Sequence, residues 1–448
     1  MFHSRKVLSA AILSCTVLPA FAAVTAEEAA KLQTTLTPLG AEKAGNKAGT
    51  IPAWTGGYKT PIPGDKPGGR RGDPFKDDKP LYSVTAQNLD QHADKLTDGV
   101  KALFKKYPTT YRIDVYPTRR TAWAPDWVYA NTAKNAVNGK LDGHSPEGVY
   151  GGIPFPIPKN GIEAMWNHKL NWRGSSWEVD VNQYQITGDA KVVLTNDVKL
   201  RQRMPYYFQE GSADKFDGYF WEVNLVSKGP PLRAGESVVG RQNLDEDKSA
   251  SYVYLAGQRR VRKLPNACCD TPTANTAGLM TFDELSVFSG KTSLFNWKLV
   301  GKKEMLVPYN QNRFLQAKES DIIKGNHLNP DHVRWELHRV WVVEAALAPG
   351  ERHQAPKSVY YLDEDTWQAM LGDRWDANGQ LWKTLWGFNY VMPDIGGAVQ
   401  QTFGYYDLLS GTGYVANVMN DKPVHQRATE RWPTVIFTSN GLTSQGGR

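Results

Sequence analysis

Between positions 333 and 345 the chain alternates, with Val333, Trp335, Leu337, Trp341, Val343 and Ala345 apolar and Arg334, Glu336 and His338 polar between them. Period two marks a strand with one buried face. Val340 and Val342 then make the second half apolar on both faces. This predicts a strand wet on one face at its start and covered on both faces at its end. At about 3.3 Å per residue it extends roughly 40 Å, well past the mean strand of about 5–6 residues. A large curved antiparallel sheet with a lid accommodates it.

The same alternation sets Trp177, Val179 and Val181 against Glu178, Asp180 and Asn182, and Trp221, Val223 and Leu225 against Glu222 and Asn224. Residues 252–255 and 259–263 flank Gly257 as a hairpin, and further strands are predicted over 297–308, 359–362, 380–383, 405–408 and 414–417. Leu89, Ala93, Leu96, Val100, Leu103 and Phe104 recur at helical spacing, predicting an amphipathic helix over 85–107 that Pro108 stops. Two more helices are predicted over 126–138 and 161–172. Thr281-Phe282-Asp283-Glu284 is a capping box opening a short helix that closes at Gly290. Helices come first and hairpins after, with no strand–helix–strand alternation, so the fold class is α+β around an antiparallel sheet. Residues 23–84 are rich in Gly and Pro and read as an extended arm, with Ile51-Pro52-Ala53-Trp54 as its anchor. Residues 85–448 read as one large domain, helical over 85–173 and mainly sheet over 174–448.

Composition changes this picture little. With 40 % hydrophobic and 22 % charged residues, the 448-residue chain has ample core for a soluble globule. Its net charge of +7 is spread along the sequence, which argues against nucleic-acid binding. The 15 Trp and 20 Tyr suit pleated sheets and apolar or sugar-binding surfaces. Arg5 and Lys6 before an apolar run over 7–21, then Ala20-Phe21-Ala22, predict a secretory signal peptide over 1–22 cleaved near Ala22. A lipid-modified Cys15 is the other way such a segment ends, and Leu13-Ser14 matches that pattern only in part. The other two cysteines, Cys268 and Cys269, are adjacent. Bridging each other requires strain, so a free or an intermolecular pair stays open.

Searches for chemistry return little. No Gly-x-Ser-x-Gly occurs, and Gly290-Lys291-Thr292 lacks the first glycine of a phosphate loop because Leu285 stands there. Asp376-Ala377-Asn378-Gly379 is a turn rather than a calcium loop, since Arg374 and Leu385 fall at ligand positions. His332 and His338 share the polar face of the long strand with Glu336, roughly 20 Å apart, too far to hold one metal. With His327 they read as satisfied, partly exposed histidines, and no metal site is expected. Arg259, Arg260 and Arg262, with Lys263, read either as a charged edge strand that resists aggregation or as a basic rim for an acidic headgroup or partner. Trp177, Trp221, Trp335 and Trp341 lie on apolar strand faces, with Leu337 and Val343 beside the last two. These six are the candidate lining of a hydrophobic cavity, against the plain alternative of core packing.

Several blocks resemble a known family. They are Leu36-Thr37-Pro38-Leu39-Gly40-Ala41-Glu42-Lys43-Ala44-Gly45-Asn46 through Ile51-Pro52-Ala53-Trp54-Thr55-Gly56-Gly57, then Ala164-Met165-Trp166-Asn167-His168-Lys169 and Gly257-Gln258-Arg259-Arg260-Val261-Arg262. Trp297-Lys298-Leu299-Val300-Gly301-Lys302-Lys303-Glu304-Met305 and Arg334-Trp335-Glu336-Leu337-His338-Arg339-Val340-Trp341 complete the set. Together the chain resembles the bacterial domain of unknown function 1329 family over nearly all of its length after residue 22. It departs at Cys268-Cys269, where aromatic or small residues are usual.

The resemblance implies a periplasmic protein whose fold is similar to the outer-membrane lipoprotein carrier and receptor, an open antiparallel half-barrel with helices covering an apolar cavity. It implies as company an inner-membrane exporter of the resistance-nodulation-division type and an outer-membrane β-barrel protein. It supplies neither catalytic residues nor a cofactor. The expected function is a non-enzymatic carrier for a hydrophobic, lipid-like ligand. A structural adaptor between membrane components, or an enzyme acting on lipid or glycan, remains open.

Overall fold

The computed structural model describes residues 24–65, 68–265, 267–273 and 276–446. The predicted signal peptide, its cleavage near Ala22, and Cys15 lie outside them. In chain order the strands are β1 (Tyr82–Val84), β2 (Ile113–Val115), β3 (Lys140–Asp142), β4 (Ser145–Glu147), β5 (Ser176–Ile186), β6 (Val192–Arg203), β7 (Tyr219–Gly229), β8 (Ser237–Asn243), β9 (Ala250–Leu255) and β10 (Arg260–Leu264). They continue as β11 (Phe295–Pro308), β12 (Ile323–Lys324), β13 (His327–Leu328), β14 (Trp335–Leu347), β15 (Lys357–Asp363), β16 (Ala369–Trp375), β17 (Leu381–Met392), β18 (Gly397–Asp407), β19 (Gly413–Val418) and β20 (Arg427–Ala428). The helices are α1 (Ala26–Ala30), α2 (Asp98–Lys106), α3 (Asp126–Asn138), α4 (Gly161–Lys169) and α5 (Ser439–Gly446).

Among the described residues, sixteen strands join in one open sheet that does not close into a barrel, an open half-barrel. From β14 it runs β15-β16-β17-β18-β19-β5-β6-β7-β8-β9-β10. The long strand β14 carries β11 along one side for its whole length. Its other side takes β15 and, at Trp335 alone, a parallel bridge to β2. All other pairs are antiparallel; besides short strands such as β1, which pairs only with β2, the edges that pair along one side only are β11 and β10. Both are cationic, with Lys298, Lys302 and Lys303 on one and Arg260, Arg262 and Lys263 on the other. Such charges block edge-to-edge pairing with a second sheet. A bulge between Leu299 and Gly301 does the same for β11.

The middle of the sheet, from β14 to β18, is buried on both faces. One core joins Val340, Val342, Trp386 and Phe388 to Val100, Leu103 and Phe104 of α2. The other joins Val343, Ala345 and Tyr360 to Ala164, Met165 and Trp166 of α4. The doubly apolar half of β14 thus lies between two covers, as its sequence predicts. The polar half does not behave as predicted. Arg334, Glu336 and His338 are buried, not wet.

Two helix predictions need correction. In place of one helix over 85–107 there are short turns at Leu89–Gln91 and Ala93–Lys95, and then α2. Leu96 is extended and the Thr97 side chain accepts the Val100 N–H, so a new helix begins there. Asp373 of β16 accepts the Gly99 N–H at 2.9 Å. A Cβ on Gly99 would sit 2.2 Å from that carboxylate, so only glycine lets the helix dock so closely. The capping box at Thr281 forms, but it opens only the short turn Phe282–Glu284. The arm, predicted without regular elements, begins with α1, whose Thr25–Glu28 capping box fixes its first turn.

Candidate functional site

The buried polar half of β14 is a network of ion pairs. Arg334 donates to Glu336 at 2.5 Å and to Asp78 at 2.8 Å. His338 Nε2 lies 3.0 Å from the other Glu336 oxygen, and its ring stacks on Tyr309 with centroids 3.9 Å apart. Arg339 donates to Glu364 at 2.6 Å, and Arg120 forks onto Asp365. Burial alone would lower His338, but the Glu336 bond and the nearby Asp363 outweigh it and raise its pKa. Burial first, and Asp365 second, push the Asp363 carboxyl up to about 6.

The donors of His338, Asp363 and Asp365 lie within 4.8 Å of one another, spacing that a metal could use. Arg120 already holds both Asp365 oxygens, and Thr366 and Tyr309 donate to Asp363. Further bonds of the network run to the N-terminal arm. Arg120 donates to the Glu42 carbonyl, Arg339 to the Ala44 carbonyl, and Lys302 to the Glu42 carboxylate. It therefore straps the arm to the sheet, which gives the Glu42-to-Asn46 block a structural job. Sequence reading missed it because Asp363, Glu364 and Asp365 come from the β15 turn, with no pattern linking them to His338.

The open half of the sheet carries a different site. Its strands from β18 through β5 to β9 enclose a cleft of about 1060 Å³, part of it open to solvent. Alternation along the strands builds the wall, with Trp177, Leu200, Val223, Leu225 and Val238 facing in. Trp221 lines the cleft as well, and its Nε1 donates to Gln202 at 2.7 Å. Described residues between Leu264 and Ser286, among them Ala267, Thr273, Phe282 and Leu285, line the cleft as a cover. A disulfide joins Cys268 to Cys269 within that cover. The cover is pinned where the Cys269 carbonyl accepts the Asp283 N–H at 3.1 Å and where Arg374 meets Asp283 at 2.8 Å. Burial opposes ionisation of Asp283, yet Arg374 and His353 hold its carboxyl below the usual range.

The cleft is amphipathic. Gln183, Gln202, Gln400 and Gln401 line it among the apolar groups. Trp177 Nε1, Gln400 Oε1, Gln401 Nε2 and Arg173 Nε are buried without a hydrogen-bond partner in the protein. Such orphans are uncommon, because each costs about 1–3 kcal/mol.

Of the six candidate lining residues, the structure brings Trp177 and Trp221 together here. Trp335 lines a separate pocket of about 430 Å³ with Leu103, Trp386 and Phe388. Leu337, Trp341 and Val343 line neither. Trp341 stacks on the buried Trp367 with centroids 6.1 Å apart. Arg259, Arg260 and Arg262 are exposed at the β10 edge, and among the described residues no carboxylate pairs with them. Among the described residues, no helix is long and apolar enough to cross a membrane.

Residues 83–443 match the family described as Protein of unknown function (DUF1329). Uncharacterized protein PA3922 of Pseudomonas aeruginosa is 39 % identical over 427 residues, covering 93 % of this chain and 92 % of that one. Among solved structures, a putative outer membrane lipoprotein-sorting protein domain from Vibrio parahaemolyticus is similar at 14 % identity and a TM-score of 0.44, covering 63 % of this chain and 98 % of that one. A DUF1329 family protein from Desulfovibrio piger is similar at 13 % identity and a TM-score of 0.40, covering 60 % and 92 %.

Proposed function

The chain belongs to the DUF1329 family, and from that premise we propose that it is a non-enzymatic carrier that holds a lipid-like molecule in the cleft under the 264–286 cover. The observation that carries this reading is the cleft itself, an apolar trough with a few polar groups on the inner face of an open sheet. Ligand sites have that composition. The work proposed for it is periplasmic, after export directed by residues 1–22. An inner-membrane resistance-nodulation-division exporter and an outer-membrane β-barrel protein are the proposed partners. The exposed Arg259, Arg260 and Arg262 edge is a surface that an acidic partner would meet.

Titration with a fluorescent fatty acid tests the reading. The parent saturates at one probe per chain. Trp221→Ala, which removes a large wall contact, weakens uptake several-fold and changes the melting temperature little. A parent with no saturable uptake of any lipid probe, and no lipid seen by native mass spectrometry after gentle purification, overturns the carrier in favour of an adaptor.

A further inference from the structure

One charged side chain in the cleft has no partner among the described residues. Arg173 follows α4 by a short turn and lines both the main cleft and the side pocket that opens beside Phe220 and Phe288. Among the described residues, no carboxylate lies within ion-pair reach of it and no hydrogen bond to its guanidinium is formed. The neighbouring cations are all satisfied. Lys169, in the same side pocket, donates to Glu246 at 3.0 Å and to the Gly290 carbonyl at 2.8 Å. Arg241 donates to Glu222 at 2.6 Å, and Glu222 also binds Arg203. One buried carboxylate thus serves two arginines, which leaves that corner cationic as well. The charged residues lining the cleft are Arg173 and Arg241, and no Asp or Glu lines it.

Arg173 is half-buried, with its Nε enclosed and unbonded, and a guanidinium drawn partly out of water without a counter-charge is disfavoured. Burial already lowers the Arg173 pKa to about 10, and the group stays charged at neutral pH. An anion is what relieves this cost. Arginine suits the task, because its planar fork meets a carboxylate or phosphate with two parallel bonds. The apolar wall formed by Trp177, Trp221 and Leu200 begins in the same cleft.

Resting on the carrier reading, we propose that the cleft takes an anionic amphiphile, with its carboxylate or phosphate head on Arg173 and its acyl chain along Trp177 and Trp221. The head, not only the chain, then selects the cargo. A neutral lipid of equal length leaves the guanidinium unpaired and binds less tightly.

Three probes test this on the full processed chain: a pyrene-labelled dodecanoic acid, the same molecule as the alcohol, and dodecyl phosphate as competitor. In the parent at pH 7 the acid binds about tenfold tighter than the alcohol, the size expected of one charge-assisted contact. Arg173→Gln brings the acid down to the alcohol's affinity and leaves the alcohol unchanged. Arg173→Lys keeps part of the preference. Without ligand, Arg173→Gln melts no lower than the parent, whereas an arginine with a purely structural role would lower it. Competition by dodecyl phosphate and not by inorganic phosphate supports an amphiphile, and equal competition by the two overturns it. Equal affinity of acid and alcohol in the parent overturns the headgroup role while leaving the carrier intact. Failure of both to bind sinks the two readings together. Should Arg173→Gln not fold, the parent's acid-to-alcohol ratio and Arg173→Lys decide.

Discussion

At the scale of single residues, the tryptophans divide by what they touch. Trp341 stacks on Trp367, and Lys302 sits 4.9 Å from its ring centroid. Trp341 is half-buried rather than enclosed, so Trp341→Ala costs less in urea unfolding than the about 3–5 kcal/mol of a fully buried tryptophan. Fatty-acid uptake by the variant, where it stays folded, equals that of the parent. Trp221 faces the cleft and is expected to show the reverse. Both indoles were legible in the sequence as inward-facing rings, because period two identifies the buried face of a strand. Which inward face holds space was not legible. That depends on the cover: α4 and Trp367 fill the space beyond Trp341, and the 264–286 segment only bridges the space beyond Trp221. Arg173 was not legible at all, since it lies in a turn outside any periodic pattern and its distinction is the absence of a partner.

At the scale of elements, α2 is seated on a carboxylate. Burial pushes the Asp373 carboxyl up to about 6, although the Gly99 N–H, Thr384 and Thr97 bond to it. The unfolded chain gives up that proton near pH 4, so between about 4 and 6 the folded state binds more protons. Stability therefore falls as pH rises through that window, with a limiting slope of about 1.4 kcal/mol per pH unit. Asp373→Asn keeps an oxygen for Gly99 and flattens this slope, making the variant more stable than the parent at pH 7. Chemical denaturation at pH 4.5 and 7 checks the sign. Asp363 is raised in the same direction, so part of the slope remains.

Sequence reading also missed whole elements. Strand β16 carries Gly372, Asp373 and Arg374, poor strand formers whose conformation is set by β15 and β17 on either side. An extra residue in β6, Thr195 opposite Gln183/Tyr184, breaks the alternation there, and another in β7, Lys228, lies opposite Asp197/Val198. The β10 edge was more legible, because clustered Lys and Arg on an alternating segment have a direct physical reason.

At the scale of the whole molecule, a packed half from β11 through β17 adjoins a hollow half ending at β10. Hydrogen exchange followed by mass spectrometry is expected to be slow in β14 to β17 with or without ligand. It is faster in β8 to β10 and the cover, and slows there when a fatty acid is bound. Uniform protection throughout would mean a solid interior. The seam between the halves is the pairing of β19 with β5, where Val415 lies opposite Tyr184 across some 230 residues of chain. A sheet closed by such distant partners has a high contact order, and high contact order slows folding. During synthesis β5 emerges long before β19, so its hydrogen-bonding side waits unpaired and able to pair with another chain. The arrival of β19 therefore also ends the period of greatest aggregation risk, and a chain stopped before residue 413 would remain in it.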